Sequence, residues 1–250
     1  MSDSTMIRKG VLLLIFSLLP GGAVLAQGEI DRNHVPSDER TDALERRRDD
    51  IDANNVRATM TNWLQIAETS NPADYDFEWP KNTNRRYLVL GQLWVGAEVT
   101  SNLGSTAGQP LWIVNVSDFR NNREGGSTSW TWEPIEGYVN PAGSEFGIAQ
   151  SDEPDSWPPF WPDKMRDVGD PGWRGSWNGF FGKDIFNADQ EMFYKAGDDQ
   201  YDPYRNAYRP DSTDPMRYGL GLVVETRIMS WTQILIDDVV FLLHSVKNDG

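Results

Sequence analysis

The chain has 250 residues, a net charge of −15 and no cysteine. A charge of that sign opposes contact with phosphate backbones and anionic lipid, so nucleic acid is not an expected partner. The absence of cysteine excludes disulfides, thiolate metal sites, a cysteine nucleophile and lipid attachment at an N-terminal cysteine.

In chain order, residues 1–26 have the layout of a secretory signal peptide. Arg8 and Lys9 precede the apolar run Val11 to Leu19; a Pro20-Gly21-Gly22 break and Val24-Leu25-Ala26 follow, which places cleavage before Gln27. Met6 is an alternative start, and an uncleaved N-terminal anchor is the alternative reading. The run is short for about 30 Å of hydrocarbon, and no later stretch reaches the roughly 18 apolar residues of a membrane helix. The expected destination is the cell surface or the medium, with the periplasm as a further option. Export without disulfides suits a bacterial chain large enough to rely on its own core.

Residues 27–54 are almost wholly charged or polar, with Leu44 and Ile51 seven apart as the only helix-like apolar spacing, and read as a charged linker or loose helix. From residue 55 the pattern changes to short apolar alternations separated by Gly, Pro, Asn and Asp, which predicts an all-β domain over 55–250. Strands are expected over Val56 to Leu64, Tyr87 to Val99 with a kink or bulge at Gly91, Leu111 to Val116, Ser129 to Glu133, Glu191 to Lys195, Leu220 to Trp231 and Ile234 to Val246. Leu220, Leu222, Val224, Thr226 and Ile228 alternate against Gly221, Val223, Glu225 and Arg227. The last strand is apolar on both faces, so a central place in its sheet is expected. An antiparallel β-sandwich follows, with a long Trp-, Pro- and Gly-rich loop region over 141–186 as an ordered functional loop or a packed cover.

Two phrases, Tyr75-Asp76-Phe77-Glu78-Trp79-Pro80-Lys81 and Tyr87 to Ala97, and the later block Gly219 to Arg227 with Ser230-Trp231 and Asp237 to Phe241, resemble the N-terminal region of large, uncharacterised exported bacterial proteins. Members of that group often finish in a type IX secretion sorting domain. The resemblance covers residues 54 to 248 and implies extracellular or surface display, with no known activity. Because this chain ends at Gly250 without further β modules, the resemblance also implies truncation at the C-terminus.

No nucleotide, zinc-protease or serine-hydrolase motif is present, and Gly179 to Lys183 lacks both the spacing and the hydroxyl of a phosphate loop. Of the two histidines, His34 falls in the linker and His244 inside an apolar strand, where a satisfied hydrogen bond or a place on a partly exposed face accounts for it. Asp184, Asn187, Asp189 and Glu191, followed by Asp198, Asp199 and Asp202, supply the hard oxygens that Ca²⁺ requires, although Asp and Asn are also ordinary turn residues. No cofactor is required beyond such a calcium ion. Trp157, Trp161, Trp173 and Trp177 could stack on sugar rings, or could plug the loop region onto the sheet. Glu145, Asp152, Glu153, Asp184 and Glu191 are eligible as a glycosidase pair, for which two carboxylates must flank a cleft. The leading expectation is a non-catalytic exported module for adhesion, assembly or display, with surface proteins and the export machinery as partners. A glycan-binding module and a carboxylate-based hydrolase are the alternatives.

Overall fold

The computed structural model describes residues 39–67, 75–88, 90–116, 132–144 and 146–250. The expected signal peptide, His34, the first part of the charged stretch, Glu145 and the opening of the strand expected at Ser129 lie outside the described residues. Among the described residues, helical structure is confined to three-residue 3-10 turns, and every strand pairing is antiparallel.

The strands are β1 (Arg48–Ile51), β2 (Ala58–Thr61), β3 (Gln65–Ile66), β4 (Gly91–Gln92), β5 (Trp94–Thr100), β6 (Pro110–Val116), β7 (Glu133–Pro134), β8 (Asn178–Gly179), β9 (Gly182–Lys183), β10 (Gln190–Gly197), β11 (Leu222–Ser230) and β12 (Val240–Asn248). One four-stranded sheet has the order β1-β2-β3-β4 and another the order β12-β11-β10-β7; β5-β6 and β8-β9 form two-stranded ribbons.

The core follows from period-two alternation. On β10 and β11, Met192, Tyr194, Ala196, Val224 and Ile228 face a cluster that also takes Ile51, Ala58, Met60 and Leu64 from the first sheet region. The opposite parity, Phe193 and Val223, faces a second cluster with Ile135, Tyr138, Ala149, Trp161 and Trp177. The alternation expected for Leu222 to Ile228 is therefore the one observed. β10 is buried along its whole length because both of its faces are covered.

Several expectations are changed. The charged stretch, from residue 39 on, is integrated into the domain: Asp42 caps a 3-10 turn at Ala43–Glu45, and β1 pairs with β2, placing Ile51 in the core. Its charges are matched locally, as where Arg46 grips the buried Glu133 at 2.6 Å, which lets so polar a segment lie on a sheet edge. The strand expected over 87–99 divides at Leu93: Gly91 lies against the Ile66 side chain, where a Cβ would clash, and β5 leaves to pair with β6. The strand over Ile234 to Val246 begins only at Val240 and is not central. β12 is the edge of its sheet and is exposed along nearly its whole length.

Asp198, just beyond the end of β10, ties several of these pieces together. Its carboxylate accepts the backbone N–H groups of Leu220 (2.6 Å) and Leu222 (2.7 Å), which enter β11, and the side-chain amide of Asn115 on β6. Gly219 has a left-handed backbone here, and a side chain on it would collide with Asp198. Burial pushes Asp198 up to about 7 against the pull of these donors, pushes Asp49 up to about 6, and also raises Asp50 and Asp199. Each of these carboxyls keeps its proton to a higher pH in the fold than in the unfolded chain. Between the ordinary carboxylate range and about 7, stability therefore falls as pH rises. The melting temperature is expected to be several degrees higher at about pH 5 than at about pH 8, with Asp198→Asn flattening the slope. A thermal scan in which wild-type stability climbs over that interval contradicts this assignment.

Candidate interaction surface

The tryptophans that could either stack on sugar or plug the loop region are brought together by the fold, facing inward. Trp161 and Trp177 meet edge to face at 5.6 Å, Trp161 lies 5.6 Å from Phe193, and Trp157 tilts against Trp177 at 5.6 Å. Trp161 and Trp177 are 1% and 0% exposed, and Trp157 and Trp173 pack against the same cluster. Their indole N–H groups are used locally: Trp161 donates to the Ser176 carbonyl at 2.8 Å, Trp157 to the Gln150 carbonyl at 2.5 Å and Trp173 to Asp167 at 2.7 Å. The ring faces of Trp161 and Trp177 are thus turned to protein, because the second face of the β10-β11 sheet needs a cover.

Beneath this cover lies a buried ion pair. Arg227 on β11 donates to Glu191 on β10 at 2.5 Å and to the Asn178 carbonyl at 2.7 Å, and its guanidinium lies 4.0 Å from the Phe193 ring centroid. Lys195, two residues along β10 from Phe193, pairs with Glu39 at 3.0 Å. The acidic residues expected near calcium are dispersed over separate structural tasks. Asp184 accepts the Trp177 N–H at 2.8 Å, and Asp189 accepts both donors of Thr232, which holds its carboxyl below the usual range. The Asn187 carbonyl takes the Trp231 indole at 2.8 Å, Asp199 accepts from Thr41, and Asp202 pairs with Arg205 at 3.1 Å. Among the described residues, no three acidic or histidine side chains converge as a metal site does. Asp152 and Glu153, both raised by desolvation, follow Ser151, which exchanges hydrogen bonds with the Glu191 backbone, and Glu153 lines a polar cleft of about 340 Å³ with Asn140, Phe146, Asp155 and Ser156. His244 shares a hydrogen bond of 2.9 Å with Thr226, its register partner on β11, and partial desolvation of the ring lowers its pKa.

Two strand regions are among the apolar surfaces that the fold leaves open. On β12, Phe241, Leu242, Leu243 and Val246 are between 36% and 49% exposed, and they lie on both faces of the strand. Among the described residues no strand flanks β12 on its outer side, so half of its backbone donors and acceptors face away from β11. The apolar surface extends to Trp231, which meets Phe241 edge to face at 5.2 Å. A second exposed face is the β5-β6 ribbon, where Trp94 and Trp112 are 67% and 66% exposed on either side of the Gly96-Val114 pair. Sequence reasoning passed over both. For Trp94 the signal was present: it shares parity with Gly96, Glu98 and Thr100, while Val95, Ala97 and Val99 take the inward positions.

No protein-family model matches the chain, and neither a curated protein nor a solved structure matches it. Removing one member of the buried pair is expected to cost about 3–5 kcal/mol, because the other charge is stranded. Urea titration of Arg227→Met and of Glu191→Leu should each show that loss, and the double variant should recover most of it. Equal additive losses would mean that the two groups do not act as a pair.

Proposed function

We propose that this chain is an exported, non-catalytic module that works by associating with other proteins at the cell surface or outside the cell. The observation that carries the reading is β12, a nine-residue sheet edge with exposed apolar side chains on both faces. Natural edges are ordinarily blunted by charge, proline or a bulge. From Val240 to Val246 this strand contains no proline and no lysine, arginine or carboxylate, and its register with β11 is continuous. Such an edge suits a partner that adds a strand, supplying backbone hydrogen bonds and apolar contact together. The export part of the reading is supported by the order of basic, apolar and small residues in positions 1–26 and by the resemblance to exported bacterial proteins. Among the described residues no helix is long and apolar enough to cross a membrane.

A photoreactive residue at position 243, introduced in the full chain on producing cells, is expected to yield a covalent adduct with a second chain. The same group at Val168, which is 97% exposed and belongs to no strand, should yield none. Equal labelling from both positions, or none from 243, removes support for the reading.

A second reading, glycan binding, is favoured by a specific observation. Trp94 and Trp112 present aromatic surface on one face of a ribbon, and Glu98 sits directly opposite Trp112 as an acceptor for hydroxyls. Electrophoresis through gels containing a panel of polysaccharides should retard the wild-type chain and not a Trp94→Ala/Trp112→Ala variant, with the melting temperature little changed. Absence of retardation across the panel defeats this reading for those glycans.

A further inference from the structure

We propose that the ligand of the exposed β5-β6 face is the interior of a linear, neutral polysaccharide, lying lengthwise so that separate sugar units stack on Trp94 and Trp112 and the chain between them crosses Gly96. The inference rests on the glycan-binding reading of this face and names the form of its ligand.

Register places the two rings. Trp94, Gly96 and Glu98 point outward on β5, with Val114 opposite Gly96 and Trp112 opposite Glu98, so all five share one face of the ribbon. Trp94 and Trp112 are therefore offset by four residues of strand and by one strand spacing, about 14 Å and about 5 Å respectively. A pyranose ring is no larger than an indole, so one sugar covers one of these platforms and not both. A ligand that uses both is a chain, with units between the two that stack on neither.

Gly96 is the second argument. It lies in the middle of an unbroken antiparallel register, and its backbone is not left-handed, so no turn or bulge requires glycine here. Packing does not require it either: a Cβ would meet a Val114 methyl at 3.4 Å and the Ile113 carbonyl at 3.7 Å, both ordinary contacts. Glycine weakens a strand, and the interior positions it occupies are bulges, bends and places where another molecule comes close. Bulge and bend are absent, which leaves close approach, midway between two exposed rings.

Polar groups and charge set the class. Among the described residues Glu98 has no ion-pair or hydrogen-bond partner, so its oxygens are available to accept from sugar hydroxyls beside Trp112. The uronate or sulfate of an acidic polysaccharide is repelled by that carboxylate and by the net charge of −15. The ribbon is also held in place before any ligand arrives. Ser101 and Asn102 donate to the carbonyls of Ala207 (2.7 Å) and Arg209 (2.8 Å), and Asn115 donates to Asp198, which fixes the spacing of the rings and lowers the cost of binding. A proline-rich peptide also seeks aromatic surface, but it docks in an aromatic-lined groove, whereas these two rings stand open to solvent on a ribbon face.

The full chain is tested by calorimetric titration with cello-, xylo-, manno- and N-acetylchito-oligosaccharides from monomer to hexamer, with alginate and a proline decamer alongside. In at least one sugar series, affinity should rise about tenfold or more between the dimer and the hexamer. Trp94→Ala and Trp112→Ala should each abolish that gain. Gly96→Val, which suits an exposed strand position, should keep or raise the melting temperature and still lose about tenfold in hexamer affinity. Alginate should not bind. Equal affinity for monomer and hexamer, or hexamer binding that Gly96→Val leaves intact, overturns the lengthwise chain and leaves the glycan-binding reading standing. No binding in any series, binding that both tryptophan variants retain, or binding of the proline decamer alone overturns both.

Discussion

The fold depends on the burial of β10. Gln190–Gly197 is covered on both faces and paired on both edges, with β11 along eight residues on one side and β7 on the other. Met192, Tyr194 and Ala196 close one core, and Phe193 begins the other. The cost of such placement is that the polar residues of β10 are also taken out of water. Glu191 and Lys195 share the parity of Phe193, so each must meet an opposite charge within the domain, and Arg227 and Glu39 provide it. Buried charges of this kind are tolerated when paired and hydrogen-bonded, and they constrain what can lie above them.

The tryptophan loops follow from that constraint. A sheet face bearing Phe193, Val223 and a buried ion pair needs a low-polarity roof with a few well-placed donors, and indole rings supply both large apolar area and one N–H each. Trp177 reaches toward Glu191 at 3.4 Å, while Trp161 and Trp157 direct their N–H groups to nearby carbonyls. The residues that looked most like a binding site are thereby used in making a core. Among the apolar surfaces left to the solvent are those of β12 and of the β5-β6 ribbon, the latter anchored to the sheet through Asn115 and Asp198. Function, on this view, lies where burial is incomplete.

Much of this architecture was legible. The alternation in Leu222 to Ile228 reports two different faces, and Glu225 and Arg227 were recognisable as one polar side of that strand; the fold supplies Glu191 as the partner across the pair. The short strand β1 was hidden because Arg48, Asp49 and Asp50 carry charge at successive positions, and only Ile51 reaches the core. The exposure of Trp94 could have been read from its neighbours Gly96 and Glu98. That of Trp112 could not, since Leu111, Trp112, Ile113 and Val114 are apolar in sequence and only pairing with β5 sets which side is outward.

The order of polar and apolar residues by itself determined that this chain forms antiparallel strands rather than helices, because a period of two cannot cover one side of a helix. It also determined that β10, β11 and β12 have apolar groups to hide. Which of them was hidden was decided by tertiary structure alone. β12 has the composition of a central strand, yet β11 has only two edges, and its pairing with β10 left β12 on the outside. Local sequence records how much apolar area a strand carries. The neighbours that cover it are set by pairing between segments distant along the chain.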